Sequence, residues 1–367
     1  MIDWKRLSRR AAVLSGALAL LAQPAGAQTF DQFLKSEDGA VLDGREAVAE
    51  QPAQLRQELF SVARADQGRI GVAAIDLSTG QRVDILGDQA FPMASTSKIA
   101  IAATFLAGVD SGKYRLDAKY PLKIPVASRP FSTAVAPVRS GNSLTAQSLI
   151  ELMITRSDNS ATDAMLAAVG GPQEVTKWLR SIGFDKQRID RDIATLVRDD
   201  GEFDPATYID VRDSTTPVQM AELIAGLHKG QWLTPQSRNV LIGAMTRTVT
   251  GSRRIKSGLP AGTHFGHKTG TLNNTASDVG FVQMPDGRVV ALAIYVTGQG
   301  GRLNRDRRIA SITRTLYSGF READGGLRAN VLARPGQGSA VRWGNNQLRS
   351  QTAGKPESRL ERVRREQ

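Results

Sequence analysis

Three short stretches of the sequence hold residue types that could do chemistry. In FPMASTSKIAIAATF (91–105), Ser95 and Lys98 stand three positions apart at the mouth of an almost wholly apolar run. Positions three apart on a helix share a face, so the Lys98 amine can reach the Ser95 hydroxyl. Packed among Ile99, Ala102, Ala103, Phe105 and Leu106, that amine would be partly desolvated, which disfavours its charged form and makes it a proton acceptor. The helix N-terminus adds backbone N–H groups that can receive a developing oxyanion. The plainer alternative is a solvated lysine beside an N-cap serine, and in a chain of 367 residues about one Ser-x-x-Lys pair is expected by chance.

The second stretch, TRSDNSA (155–161), places Ser157, Asp158 and Asn159 between two helical patterns. In the third, HFGHKTGTLNN (264–274), Lys268, Thr269, Gly270 and Thr271 end a strand. A lysine and a hydroxyl on one strand can clamp a carboxylate, glycine allows close approach to the strand edge, and the Thr271 N–H could complete an oxyanion hole with that of Ser95. Taken singly, both stretches are made of ordinary turn and cap residues.

The elements that must position these residues follow from periodicity. Residues 52–66 carry Leu55, Leu59 and Val62 at helical spacing, and RIGVAAIDLSTG with QRVDILG reads as a hairpin turning at Ser78-Thr79-Gly80. A second hairpin turns at Pro285-Asp286-Gly287, and Ile309, Ile312 and Leu316 mark one face of a last helix. Between them, residues 97–244 read as helical and loop-rich. Leu149, Leu152 and Met153 share a helix face, Ser160 and Asp163 form a capping box for the next helix, and a further helix starts at Pro172. The pattern is α+β, a sheet domain interrupted by a helical block, with a cleft expected between the two.

Ser-x-x-Lys, Ser-Asp-Asn and Lys-Thr-Gly in this order and at long separations resemble the class A β-lactamases and penicillin-binding proteins. The likeness covers most of residues 53–320 and extends to LTAQSLIELMITRSDNSATDAML, GGPQEVTKWLRSIGF, RIDRD, DSTTP, TGSRRIKSGLP and MPDGRVVALAIYVTG. The resemblance implies a β-lactamase/transpeptidase-like fold, an antiparallel five-stranded sheet flanked by helices plus an inserted all-α domain at about 97–244. It makes Ser95 the nucleophile, Lys98 its activating partner and Ser157 a proton relay. Asn159 becomes a ligand for the substrate amide, and Lys268, Thr269, Gly270 and Thr271 the binders of carboxylate and carbonyl. Arg254 fits the place of an arginine that holds the carboxylate in some members. The activity implied is opening of β-lactam rings through an acyl-enzyme. A D-alanyl-D-alanine peptidase or amidase, and a penicillin-binding protein that stalls after acylation, share the same acylating parts.

One part departs from the pattern. The family carries a glutamate two residues after the omega-loop arginine, where it primes the deacylating water. In RIDRDIATLVRDDGEFDPATYIDVRDSTTP (188–217) that seat, counted from Arg191, holds Ile193. Counting back from Asp213 lands on Asp200, with Glu202 close by, and these two, or Asp192, are the carboxylates expected to take the missing role. An Arg191–Asp213 ion pair would close the neck of the loop.

Composition narrows the rest. Cationic residues Lys5, Arg6, Arg9 and Arg10, an apolar stretch from Ala11 to Ala22 and Ala25-Gly26-Ala27 read as a signal peptide over 1–27, cleaved near Ala27, so a periplasmic or secreted protein without stable membrane insertion is expected. Residues 28–52 read as a linker. The absence of cysteine excludes disulfides and thiol chemistry, and the 41% apolar content can build a sizeable core without them. The net charge of +12 is not a nucleic-acid signal: residues 321–367 alone hold ten Lys/Arg against five Asp/Glu, and residues 28–320 carry only +4. That basic segment reads as a disordered, solubilising tail, with weak contact to anionic envelope polymers as the other reading. No Gly-x-Ser-x-Gly elbow occurs, and His264 and His267 would point to opposite faces of a strand, so neither another hydrolase design nor a metal site is expected. The expected protein is a monomer with no cofactor, acting on a small β-lactam or D-alanyl peptide.

Overall fold

The structure, a computed structural model, describes residues 53–332. Helix α1 (Ala53–Ala63) buries Leu55 and Leu59 and leads into the hairpin β1 (Ile70–Asp76) and β2 (Arg82–Ile85). The Asp76 carboxylate fixes the turn by accepting from the Ser78 N–H at 2.8 Å. Next come β3 (Phe91–Pro92), a 3₁₀ turn (Ala94–Ser97) and α2 (Lys98–Asp110). The helical block continues through the hairpin β4 (Lys119–Pro125) and β5 (Val138–Thr145), then α3 (Ala146–Thr155), α4 (Asn159–Val169), α5 (Pro172–Ser181) and α6 (Ile193–Arg198). After β6 (Ser214–Thr215) follow α7 (Pro217–Lys229), α8 (Pro235–Thr246), α9 (Ile255–Gly258), the strands β7 (Phe265–Leu272), β8 (Thr275–Gln283) and β9 (Val289–Thr297), and α10 (Arg302–Leu332).

The fold is α+β, as expected: a five-stranded antiparallel sheet in the order β2-β1-β9-β8-β7, flanked by helices. Both faces of β9 are buried, and its alternation divides them. Ala291, Ala293 and Tyr295 join one core with residues of α2, α3, α4 and α7, whereas Val290 and Leu292 meet Leu316 and Phe320 of α10. Each large apolar side chain so buried contributes about 1.5–3 kcal/mol relative to exposure.

Four details differ from the sequence reading. The block at 97–244 is not all-α, because β4 and β5 pair within it. Pro121 and Pro125 argue against a strand, yet the pairing accommodates them with a register shift between Pro121 and Lys123. The N-cap of α4 is Asp158, whose carboxylate accepts from the Ala161 N–H at 2.7 Å, and not Ser160. Asp163, the other half of the expected box, bonds outside its own helix. Lastly, α10 runs through Arg321 to Leu332, into the segment read as a disordered tail, since lengthening a helix already nucleated by packing costs little. The expected leader, the linker and the rest of the basic tail lie outside the described residues.

Candidate active site

The Ser95 turn is locked from several directions. Thr96 Oγ1 donates to Met93 O at 2.7 Å and lies 3.2 Å from the buried Tyr295 hydroxyl, and Ser97 Oγ donates to Ala94 O at 2.8 Å. β3 pairs with β6, and the Met93 N–H donates to Asp213 O at 2.9 Å, tying the turn to the end of the long loop. Ala94, just before Ser95, and Ser157 both hold left-handed backbone, with φ of 49° and 59°. Such conformations persist where surrounding contacts over-determine them, and they cluster at functional sites.

Gly270 brings the third stretch to this turn. A β-carbon there would stand 2.7 Å from Met93 O and 3.1 Å from the Ala94 β-carbon, so only glycine lets β7 run so close. Ser95, Ser157, Asn159, Thr269, Thr271 and Arg254 consequently line one cleft of about 710 Å³. Lys98 and Lys268 stand behind it, both 0% exposed.

Lys98 is not a snorkelling lysine. Its amine donates to Ser157 O at 2.8 Å, to Asn159 Oδ1 at 2.7 Å and to Ser157 Oγ at 3.2 Å. Among the described residues these are its hydrogen-bond partners, so the direct bond to Ser95 expected from the spacing is replaced by bonds to the Ser-Asp-Asn loop. Burial brings the ammonium down to about 7, against the opposing pull of Asp163 and Asp158. Lys268 donates to Ser157 Oγ at 2.9 Å and to Thr269 O at 2.9 Å, and burial, with the Lys98 charge beside it, holds it well below the ordinary lysine range. One hydroxyl, Ser157 Oγ, thus bridges two buried amines. With Asn159 Oδ1 engaged by Lys98, the NH₂ of that side chain is left to donate into the cleft.

Arg254 lines the cleft, but it is 2% exposed and largely engaged. Its Nε pairs with Asp306 at 2.6 Å, one terminal nitrogen donates to Gly270 O and Ser277 O, and the other donates to Thr271 Oγ1 at 2.7 Å. At most one of its five N–H groups remains for a substrate.

The expected deacylating carboxylates do not reach the Ser95 cleft. Asp200 accepts twice from the Asn273 N–H, at 2.8 and 3.0 Å, Glu202 pairs with Arg212 at 2.6 Å, and both line a different cavity with Phe203 and Tyr208. Asp192 is the N-cap of α6, accepting from the Thr195 N–H at 2.7 Å. The physical reason is the extra loop length, which carries Asp200 and Glu202 past the cleft to the end of β7. The loop neck does form: Arg191 Nε donates to Asp213 at 2.6 Å, and the same carboxylate accepts from the Asp190 and Arg191 N–H groups.

Sequence reasoning missed Asp163. Both its oxygens accept backbone N–H groups from the first turn of α6, Ile193 at 2.7 Å and Ala194 at 2.9 Å. Burial pushes this carboxyl up to about 6. Its position four residues after Asn159, on the same helix face, was the available signal. Thr250, whose Oγ1 lies 2.7 Å from that of Thr269, was also missed, and no motif marks it. His267 bonds through Nδ1 to the buried Asp278, and among the described residues no group of three or more potential ligands gathers around a metal position.

Comparison with known proteins gives the same picture. β-Lactamase CTX-M-6 of Salmonella typhimurium is 30% identical over 248 residues, covering 67% of this chain and 82% of its own. β-Lactamase OXY-2 of Klebsiella oxytoca is 30% identical over 72% of this chain and 89% of its own. Among solved structures, an ancestral class A β-lactamase superposes with a TM-score of 0.64 at 36% identity, covering 73% of this chain and all of that one. A β-lactamase from Chitinophaga pinensis gives 0.63 at 26% identity over 73% of this chain and 99% of that one. The sequence model of the β-lactamase enzyme family matches residues 53–320, and the chain belongs to that family.

Proposed function

We propose that this protein is a serine β-lactamase-type hydrolase that opens β-lactam rings through an acyl-enzyme on Ser95. The observation that carries the reading is the fully buried Lys98 amine, held near 7 and joined to Lys268 through Ser157. Ser95 Oγ attacks the lactam carbonyl carbon, and its proton passes to the neutral Lys98 amine as that amine turns from its Ser157 and Asn159 acceptors toward Ser95. The backbone N–H groups of Ser95 and Thr271 stabilise the oxyanion, and Lys268 and Thr269 hold the ring carboxylate. As the C–N bond breaks, the ring nitrogen takes a proton from Ser157 Oγ, which is resupplied by Lys98. The amine is then neutral again and serves as base for the water that attacks the ester; its proton finally returns to Ser95. Asp200 and Glu202 have no step in this scheme, because their carboxylates line another cavity.

A lysine doing both jobs makes deacylation the slower step, since the one carboxylate of the cleft lining, Asp306, is already bonded to Arg254. The same proposal includes export after cleavage near Ala27, action in the periplasm or outside the cell, a contribution to β-lactam resistance, and a monomeric state. Among the described residues no helix is long and apolar enough to cross a membrane.

The test is to mix the purified protein with a chromogenic cephalosporin and weigh it during and after the reaction. A transient adduct of the drug's mass that decays to unmodified protein is expected, with none on the Ser95→Ala variant. An adduct that persists on that variant removes Ser95 from its role.

A further inference from the structure

The cleft lining carries three arginines, Arg253, Arg254 and Arg302, against a single carboxylate, Asp306. Asp306 is committed to Arg254, and Arg254 has its other N–H groups on Gly270, Ser277 and Thr271. Arg253 and Arg302 are different: both are exposed, and neither pairs with a carboxylate among the described residues. Burial lowers the Arg305 value, and Arg254 and Arg302 lower it further against the opposing pull of Asp306, so cations outnumber anions at this end of the cleft.

The location of the pair is informative. Arg253 adjoins Arg254, which bonds β7 at Gly270 and Thr271, and Arg302 stands one helical turn before Asp306 on α10. Both cations therefore sit at the Thr269–Thr271 end of the cleft, beyond the groups assigned above to the ring carboxylate. The ring carboxylate is assigned to Thr269 in the cleft lining with Lys268 behind it, and two further guanidinium groups without a carboxylate partner would meet whatever extends past it.

Resting on the proposed function, we infer that Arg253 and Arg302 select substrates carrying a second anionic group on the substituent of the carboxylate-bearing ring. Exposed guanidinium groups act here by attraction across solvent, which raises the rate of productive encounter more than it tightens the bound state, and salt weakens it.

The test uses two cephalosporins with one acyl side chain, whose ring substituent ends in a carboxylate in one and in its methyl ester in the other. The second-order rate of acylation, followed by stopped flow, reads the step whether or not deacylation is slow. The acid should acylate about fivefold faster than the ester at low salt, as expected for two exposed charge contacts, and the ratio should fall as salt is raised. In the Arg253→Gln/Arg302→Gln double variant the ratio should fall to about one, the ester, which keeps only the ring carboxylate, slowing less than the acid, while the Arg253→Lys/Arg302→Lys variant should keep the ratio. A ratio near one in the unmodified protein, or a ratio that the glutamine substitutions leave in place, overturns the inference. A protein that reacts with neither compound overturns the Ser95 reading itself, and this inference with it.

Discussion

At the scale of single residues, the site turns on how two lysines are kept short of protons. Lys98 has three acceptors, the full complement of an ammonium, yet burial holds it near 7. At neutral pH it is therefore poised between a donor to three oxygens and a base whose lone pair can accept from Ser157 or Ser95. Acylation needs the neutral amine, so its rate should rise with pH and level off above about 7, and a stopped-flow pH series checks this. A profile flat between pH 5 and 8 would exclude Lys98 as the base. Asp163 supplies a second check. Its negative charge pulls the Lys98 value up, and its own carboxyl, raised to about 6, is ionised where Lys98 titrates. The Asp163→Asn variant should move the acylation midpoint downward, because the amine loses a partner that favours its charged form. A midpoint that stays in place would show that the buried carboxyl carries no charge where Lys98 titrates. Ser95, Lys98 and Lys268 were legible in the sequence because motif order carried them. Asp163 was not, because its one signal, a place four residues after Asn159 on the same helix face, fits half of a capping box as well as a ligand for another helix.

At the scale of elements, the long loop between Arg191 and Asp213 decides the fate of the acyl-enzyme. Its neck is built on a largely buried ion pair, and its first helix is clamped to α4 by Asp163. Ile193, which spacing from Arg191 sets in the seat of the family's water-priming glutamate, is 3% exposed. Counting from Arg191 leads to this residue. Counting back from Asp213 led to Asp200, because an insertion cannot be placed by spacing from its far end. The hairpin β4–β5 escaped for a related reason: two prolines and a Gly-Ser-Asn run mask a pairing that a register shift permits. Restoring a carboxylate to the seat should speed deacylation. Ile193→Glu alone would put two carboxylates side by side in a buried place, so it is paired with Asp163→Asn. The double variant should shorten the adduct lifetime at least about tenfold, at about 2–4 kcal/mol of stability for the lost apolar packing. Asp200→Asn and Glu202→Gln should leave turnover as it is. Trapping of the acyl-enzyme in either of these would return the deacylating role to the far cavity, and mass spectrometry of the reacting protein reads all of these outcomes.

At the scale of the whole molecule, the chain interrupts its sheet after β2, lays down the helical block and returns to complete the sheet with β7, β8 and β9. Both hairpins and the apolar faces of the first and last helices were readable locally. The order β2-β1-β9-β8-β7 was not, since it depends on which edges meet after the block has folded. That ordering sets Lys268, from late in the chain, beside Ser157, from its middle, and behind Ser95. Assembling the site therefore buries two amines that are exposed in the unfolded chain, and this has a thermodynamic signature. Lys98 titrates near 7 when folded and near 10.5 when unfolded, so between those values the unfolded chain holds a proton that the folded protein lacks. Stability from this group is fully present only above the unfolded value and is lost as pH falls through the folded one. Lys268, lowered in the same direction, adds to the effect. Replacing Lys98 by methionine, unbranched and of similar length, removes the Lys98 part. The Lys98→Met variant should be more stable than the unmodified protein at pH 7. The gap should close on raising the pH toward 10, by up to about 1.4 kcal/mol per unit. Urea midpoints measured for both proteins at three pH values across this window give the slopes, and charges distant from Lys98 cancel in the difference. Parallel slopes would mean that the amine keeps its proton on folding, and the base in the scheme above would have to be another group.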